Sequence, residues 1–306
     1  MCSRAAPSLT RWAQDKIDDT MTLAALQSVR AASEVLAGQG YLADRPLAMA
    51  VHLAVVLEQP LLLEGEAGVG KTEVARALST AIGARLIRLQ CHEGIDLHHA
   101  VYDWDYSRQL LALRATEQGV DEGELFSRRF LLRRPLLEAL ESSDASQPVV
   151  LLIDEIDRAD DEFEAFLLEF LSDFAVTIPE LGTITAARKP IVLLTSNRTR
   201  ELHDALKRRC LYHWIDYPSP ERERAIVAAR LPGVPEAVAA RVVEAVSRLR
   251  SQGDLYKLPG VGETIVWAQA LLALGDEASL DDTLGVALKV HEDVLRVRER
   301  GVLEGV

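Results

Sequence analysis

From Pro60 onward the chain alternates between short apolar runs and longer stretches with helical periodicity. The runs Leu61–Glu64, Arg85–Gln90, Pro148–Ile153, Ile191–Thr195 and Leu211–Ile215 read as strands. Three of them are leucine or β-branched runs ending in polar residues, the pattern of a parallel sheet covered on both faces. Between them Thr72–Thr80, stopped by Gly83, Phe130–Leu140 and Asp161–Phe174 read as helices. In the last, Phe163, Phe166, Leu167, Phe170, Leu171 and Phe174 fall on one stripe. Asp161 with Glu164 three residues on resembles a capping box there. Strands alternating with helices predict an α/β doubly wound domain.

The flanks read differently. Residues 1–20 are polar and mixed, and 21–38 read as a helix ending at Gly38 and Gly40. Pro46 opens a second helix, to about Leu57, with Leu47, Ala50, Val51, Ala54 and Val55 on one face. Two stretches interrupt the alternation: an insert at 91–129 with aromatics at Tyr102, Trp104 and Tyr106, and a hairpin-like segment at 175–187 around Pro179–Gly182. Long insertions of this kind in an α/β domain are usually functional. After Pro218 and Pro220, four helices are expected: Glu221–Arg230, Glu236–Arg250, Glu263–Leu274 and Thr283–Arg300. The expected organisation is an N-terminal extension over 1–40, an α/β core over 41–217 and a helical domain over 218–306.

Composition narrows the classes. The chain has 306 residues, 48% hydrophobic and 26% charged, which is ordinary for a globular protein. A net charge of −13, with only short basic runs such as Lys207-Arg208-Arg209, argues against nucleic acid as a main partner. Cys2, Cys91 and Cys210 are too few and too irregular for a disulfide framework. No apolar run approaches the length of a signal core or a membrane span, so a cytoplasmic protein without stable membrane insertion is expected.

The strongest chemical signal is Gly65-Glu66-Ala67-Gly68-Val69-Gly70-Lys71-Thr72, a G-x-x-x-x-G-K-[ST] motif between a predicted strand and a predicted helix. Glycines let several N–H groups converge on an anion without Cβ clashes, and the helix N-terminus adds positive potential. Lys71 reaches the β- and γ-phosphates of ATP, and the Thr72 hydroxyl suits Mg²⁺. The second signal is the apolar run 149–153 ending in Asp154 and Glu155. There one carboxylate can hold Mg²⁺ through water and the next can polarise an attacking water. Asp157 is expected at the surface or as a cap. In residues 193–200, Asn197 follows a buried strand; it is either a neutral hydrogen-bonder to the γ-phosphate or lytic water, or a turn former. Just before the fifth strand, Arg209 or Arg208 is either a transition-state arginine acting across a subunit interface or part of a solvated basic run. Cys91, His92, His98, His99, Cys210 and His213 include zinc-type ligands, but their spacing matches no four-ligand pattern. Trp12, Trp214 and Trp267 are expected to pack.

Taken together these elements resemble the AAA+ ATPases, and within them the MoxR family, over about residues 40–300. The resemblance sharpens around CHEGIDLHHAVYDWDY (91–106), LLIDEIDRADDEFEAFLLEFLSDFAVTIPELGTI (151–184), LTSNRTRELHDALKRRCLYHWIDYP (194–218) and LYKLPGVGETIVWA (255–268). These stretches are similar to the CoxD branch, accessory ATPases encoded beside carbon monoxide dehydrogenase and related molybdenum hydroxylases. The resemblance implies a P-loop NTPase AAA+ module with a five-stranded parallel sheet of order 5-1-4-3-2 and an α-helical lid from about residue 219. It implies ATP and Mg²⁺ as cofactors, Asn197 as sensor 1 and Arg209, with Arg208 beside it, as arginine finger. It also implies that the insert and the hairpin line the pore of a hexameric ring. A client of the molybdenum hydroxylase type and a von Willebrand A-domain partner are implied as well. Where many AAA+ lids carry a sensor-2 arginine, this chain has Glu263 or Thr264. That departure keeps a slowly hydrolysing, nucleotide-dependent scaffold as an alternative; a P-loop small-molecule kinase is another, and a DNA motor a distant one.

Overall fold

A computed structural model describes residues 26–115, 122–143, 147–275 and 279–305. Expectations for residues 1–25, including Cys2 and Trp12, lie outside the described residues. The described residues divide into two compact units: 26–39 with 43–64 and those between 72 and 213, and 40–42 and 65–71 with those between 214 and 305. The first contains α1 (Val29–Ala37), α2 (Arg45–Leu57), most of β1 (Leu61–Gly65) and of α3 (Lys71–Ala81), and β2 (Arg85–Gln90). Then follow α4 (Leu97–Ala100), β3 (Tyr102–Trp104), α5 (Tyr106–Ala115), α6 (Glu122–Leu125), β4 (Leu131–Arg133) and α7 (Pro135–Ser142). It continues with β5 (Val149–Asp154), α8 (Asp161–Asp173), β6 (Ala175–Ile178), β7 (Gly182–Thr185), β8 (Ile191–Ser196), α9 (Asp204–Lys207) and most of β9 (Leu211–Ile215).

Five of these strands form one parallel sheet in the order β2-β5-β8-β1-β9. Numbered among themselves and read from β9, they run 5-1-4-3-2, the order of an AAA+ module. β5 is buried at every residue and lies between β2 and β8, with Gln90 opposite Asp154 and Ile153 opposite Leu194. This is why the central strand reads as an unbroken apolar run: both faces are covered, and no position is left for a solvated residue. Leu89, Leu151, Leu194, Leu137, Leu167 and Phe170 share the core beneath it. Burying each such side chain stabilises the fold by about 1.5–3 kcal/mol. The segment at 175–187 forms an antiparallel pair, Ala175 opposite Thr185 and Ile178 opposite Gly182.

Local chemistry sets the helix ends, and it moves several of the expected boundaries. The helix expected over Phe130–Leu140 is instead β4, paired antiparallel with β3, followed by α7. Arg134, held extended at φ −102° and ψ 171° before Pro135, forces that break. The cap of α8 is Asp160, whose side chain accepts from Phe163 N–H at 2.9 Å; Glu164 is buried, pairing with Arg200 and accepting from His203 N–H at 3.0 Å, so the Asp161/Glu164 capping box does not form.

The second unit is built on α10 (Pro220–Arg230), α11 (Glu236–Ser251), α12 (Val261–Leu274), α13 (Leu284–Ala287) and α14 (His291–Glu299). A single helix over Thr283–Arg300 does not form: Leu288 turns extended (φ −98°, ψ 132°) and separates α13 from α14. Val242, Val246, Leu249, Leu271 and Leu284 pack around Trp267, which is fully buried and donates through Nε1 to Thr283 Oγ1 at 2.8 Å. Glu223, also buried, takes two bonds from Arg250 (2.6 and 2.9 Å) and one from Thr264 Oγ1 (2.6 Å). Among the described residues no helix is long and apolar enough to cross a membrane.

Candidate functional site

The glycine-rich loop belongs to the second unit and is shaped by close backbone approaches. A Cβ on Gly65 would lie 2.3 Å from the Ile215 carbonyl oxygen. Gly68 and Gly70 adopt φ of 79° and 97°, which L side chains rarely tolerate. The loop also meets the start of α12: Val261 N–H donates to Gly68 O at 2.9 Å, and a Cβ on Gly260 would fall 2.6 Å from Gly68 Cα. Tyr41 lies against Gly70, its ring 3.6 Å from where a Cβ would stand. Glu66 and Ala67 are exposed and Val69 is buried. Lys71 is buried, with Nζ donating to Gly65 O at 2.8 Å and Glu66 O at 2.7 Å. An ammonium held against the loop's own carbonyls, inside a ring of glycines, is chemically suited to a phosphate chain.

Glu263 and Thr264 bond to residues at and beside the start of α12. Glu263 Oε2 accepts from Gly260 N–H at 3.0 Å, and Thr264 Oγ1 is bound to Glu223 and to Gly260 O.

In the first unit, Thr72, the residue after Lys71, donates through Oγ1 to Asp154 Oδ1 at 2.9 Å. The same oxygen accepts from Thr195 Oγ1 at 2.5 Å, and Oδ2 accepts from Arg88 Nε at 3.0 Å. A threonine hydroxyl bonded to a buried carboxylate is the pairing that suits an octahedral cation: the hydroxyl keeps a lone pair for the metal while its proton faces the carboxylate. Glu155 is half-buried in left-handed backbone (φ 56°, ψ 49°), where its N–H donates to Thr195 Oγ1 at 2.9 Å. Its carboxylate lies 3.0 Å from Arg158 Nε.

Asn197 follows β8, half-buried, in a loop pinned at its far side. Thr199 donates to Asp157 Oδ2 from N–H at 2.8 Å and from Oγ1 at 2.7 Å. Asp157 is therefore neither a surface residue nor a cap, since only 2% of it is exposed and it ties the Glu155 turn to the Asn197 loop. Donors 42 residues away replace the water lost from Oδ2, while Oδ1 is buried without a hydrogen-bond partner. Arg208 and Arg209 are exposed beyond α9, and Arg209 turns to Ser172 Oγ (2.9 Å) and Ala205 O (3.2 Å) instead of to Asp154 or Glu155.

Cys91 N–H donates to the Asp154 backbone O at 2.9 Å, and the Cys91 side chain is buried. Burial, then the charges of Asp154, Asp157 and Glu155, push its pKa up to about 12; burial does the same to Cys210. Thiols held protonated in this way are poor metal ligands.

Sequence reasoning missed Arg88, Thr195, the Asp157–Thr199 clasp and the Gly68–Gly260 contact. The one available signal was in β2, where Arg88 and Gln90 lie two apart, and so on one face, beside a strand ending in Asp154.

With this geometry in place, comparison with known proteins is specific. Residues 60–210 match the model of the AAA domain, dynein-related subfamily. Residues 60–210 are an AAA+ ATPase domain. This AAA+ segment contains the loop, Asp154, Glu155, Asn197, Arg208 and Arg209. The chain is 34% identical over 85 residues to the gas vesicle ATPase GvpN of Ancylobacter aquaticus, covering 28% of this chain and 24% of that protein. It is 29% identical over 143 residues to a ClpA homolog protein of Fuscovulum blasticum, covering 46% of this chain and 15% of that one. The chain thus spans less than a quarter of the length of either relative. Among solved structures, domain III of the replication initiation protein DnaA of Thermotoga maritima matches at TM-score 0.47 and 16% identity, over 81% of this chain and 93% of that chain. The RuvB Holliday junction branch migration motor of the same organism matches at 0.42 and 16%, over 87% and 68%.

Proposed function

We propose that this protein binds ATP with Mg²⁺ and hydrolyses it to remodel a client protein, with residues 41–217 as the ATPase module and 218–306 as its lid. The observation that carries the reading is the Thr72–Asp154 bond: the residue after the P-loop lysine is joined to the carboxylate at the end of the central strand. Gly65–Thr72 hold the phosphates, and Thr72 and Asp154 hold Mg²⁺, which when bound supplies charge neutralisation at the phosphates. Glu155 orients and deprotonates water, and its left-handed backbone is held by the bond from its N–H to Thr195 Oγ1. Asn197 reports the γ-phosphate, and Arg209 with Arg208 acts on a neighbouring subunit, in keeping with their exposure.

The resemblance to MoxR proteins supports a cytoplasmic ring, a von Willebrand A-domain partner and a metalloenzyme client of the molybdenum hydroxylase type, without nucleic acid. Similarity to a protein named a gas vesicle ATPase supports turnover. The experiment is calorimetry with ATP and Mg²⁺ joined to a turnover assay. Lys71→Ala is expected to abolish binding, while Glu155→Gln keeps binding and loses at least about 100-fold in turnover. Equal ATP affinity for Lys71→Ala and wild type defeats the assignment. Client identity is read from what co-purifies with a tagged chain.

One observation favours the slowly hydrolysing scaffold as a second reading. The position beside the loop that would suit a cation is held by Glu263, whose Oε2 lies 3.2 Å from where a Gly68 Cβ would stand. Turnover that stays negligible with saturating ATP, alone and with partner, favours that reading.

A further inference from the structure

The Asp154 carboxylate is fully subscribed by protein donors. A carboxylate has about four acceptor directions. Here Oδ1 takes Thr72 Oγ1 (2.9 Å) and Thr195 Oγ1 (2.5 Å), and Oδ2 takes Arg88 through Nε (3.0 Å) and Nη2 (2.5 Å). The two threonines are neutral, whereas Arg88 is a cation paired with this carboxylate. The Asp154 side chain is 3% exposed, whereas that of Arg88 is 44% exposed. Arg88 Nη2 is also bonded to Gln90 Oε1, so the guanidinium has a second hold on its own strand.

We propose that Arg88 is a positioning residue that occupies Asp154 as a resident counter-ion and sets how much Mg²⁺ the nucleotide complex requires. This rests on the ATP·Mg²⁺ reading above. A buried carboxylate without a cation carries a large desolvation cost. Arg88 offsets it in the metal-free protein and keeps Asp154 in a single orientation, ready beside Thr72. The same contact opposes the metal. A magnesium shell that uses Asp154 through water needs one carboxylate oxygen returned to it, and it places a second positive charge within a few ångströms of the first. Two partners that compete for one group weaken each other reciprocally. The guanidinium, 44% exposed, is the partner that can leave, because solvent reaches it, while Thr72 and Thr195 are fixed by α3 and β8.

The test is the binding of a fluorescent ADP, followed as Mg²⁺ is titrated into wild type, Arg88→Ala, Arg88→Lys and Gln90→Ala, with binding in EDTA and thermal unfolding measured alongside. In Arg88→Ala the half-saturating Mg²⁺ concentration falls by roughly threefold to tenfold, the range for a partly exposed, charge-assisted pair. Binding in EDTA is unchanged, and the ligand-free protein melts earlier. Arg88→Lys, with charge but no fork, lies between. Gln90→Ala, which loosens the guanidinium and keeps its charge, gives a smaller fall and serves if Arg88→Ala does not fold. An unchanged or higher Mg²⁺ requirement in folded Arg88→Ala overturns the proposal and leaves the nucleotide reading intact. No nucleotide uptake by wild type in either condition sinks both.

Discussion

Gly260→Ala is the substitution for which the geometry makes the sharpest claim. Gly260 caps α12 at φ −84° and ψ −179°, a conformation open to any L residue, so alanine carries no backbone penalty there. The penalty is steric. The new Cβ would lie 2.6 Å from Gly68 Cα and 2.9 Å from both Gly68 C and O. Ordinary carbon contacts are about 3.5–4.0 Å, so loop and helix must part by about 1 Å. Overpacking of this kind costs about 1–3 kcal/mol. A shift of that size also breaks the Val261 N–H to Gly68 O bond, now 2.9 Å, which adds about 0.5–1.5 kcal/mol. The sum, about 2–4 kcal/mol, falls on a contact whose other side is the glycine-rich loop. ATP affinity is therefore expected to drop at least about tenfold, since each 1.4 kcal/mol is a factor of ten.

Gly262 supplies the control. It stands two residues further on in the same helix, and a Cβ there meets nothing within 4 Å. Gly262→Ala should leave ATP affinity unchanged and stabilise by up to about 1 kcal/mol, because glycine is a poor helix former. Calorimetric ATP titration and thermal melts of both variants decide the matter. Equal affinities and equal melting temperatures for the two alanine variants would refute the argument.

Two further outcomes follow from buried charge and from buried thiols. Arg250→Met strands Glu223, which is 1% exposed, and should cost about 3–5 kcal/mol in chemical denaturation; Arg250→Met with Glu223→Met should recover most of it, and a double variant no better than the single one contradicts the pairing. Cys91 and Cys210, with thiols pushed up to about 12, should resist iodoacetamide at pH 8 until the protein is unfolded, as mapped by mass spectrometry. The raised values also have a stability sign: the folded thiols keep protons that unfolded ones release, so this contribution is complete below roughly pH 9 and is lost as pH rises towards 12. Stability that climbs across that window would contradict it.

What could be read from the chain and what could not divide along a physical line. The strands of the sheet are covered on both faces, so burial writes itself as composition: Val149–Ile153 has no polar residue and is buried throughout. The glycine-rich loop is legible for a similar reason, since its backbone demands glycine at fixed places and the demand leaves a spaced pattern. Polar partnerships between distant elements leave no such trace. Asp157 sits in the run Asp154–Glu164, which reads as a solvated helix start, yet it is buried because Thr199, on the far side of β8, supplies its donors. Glu164 is buried for the same kind of reason, through Arg200 and His203. Arg88 belongs to this class. In one strand it is a charged residue among leucines, and only the register that sets Gln90 opposite Asp154 brings its guanidinium to that carboxylate. Periodicity records which face of an element is dry. It does not record which polar partner on another element makes that dryness tolerable, and the missed contacts, Arg88 on Asp154 and Thr199 on Asp157, are of that second kind.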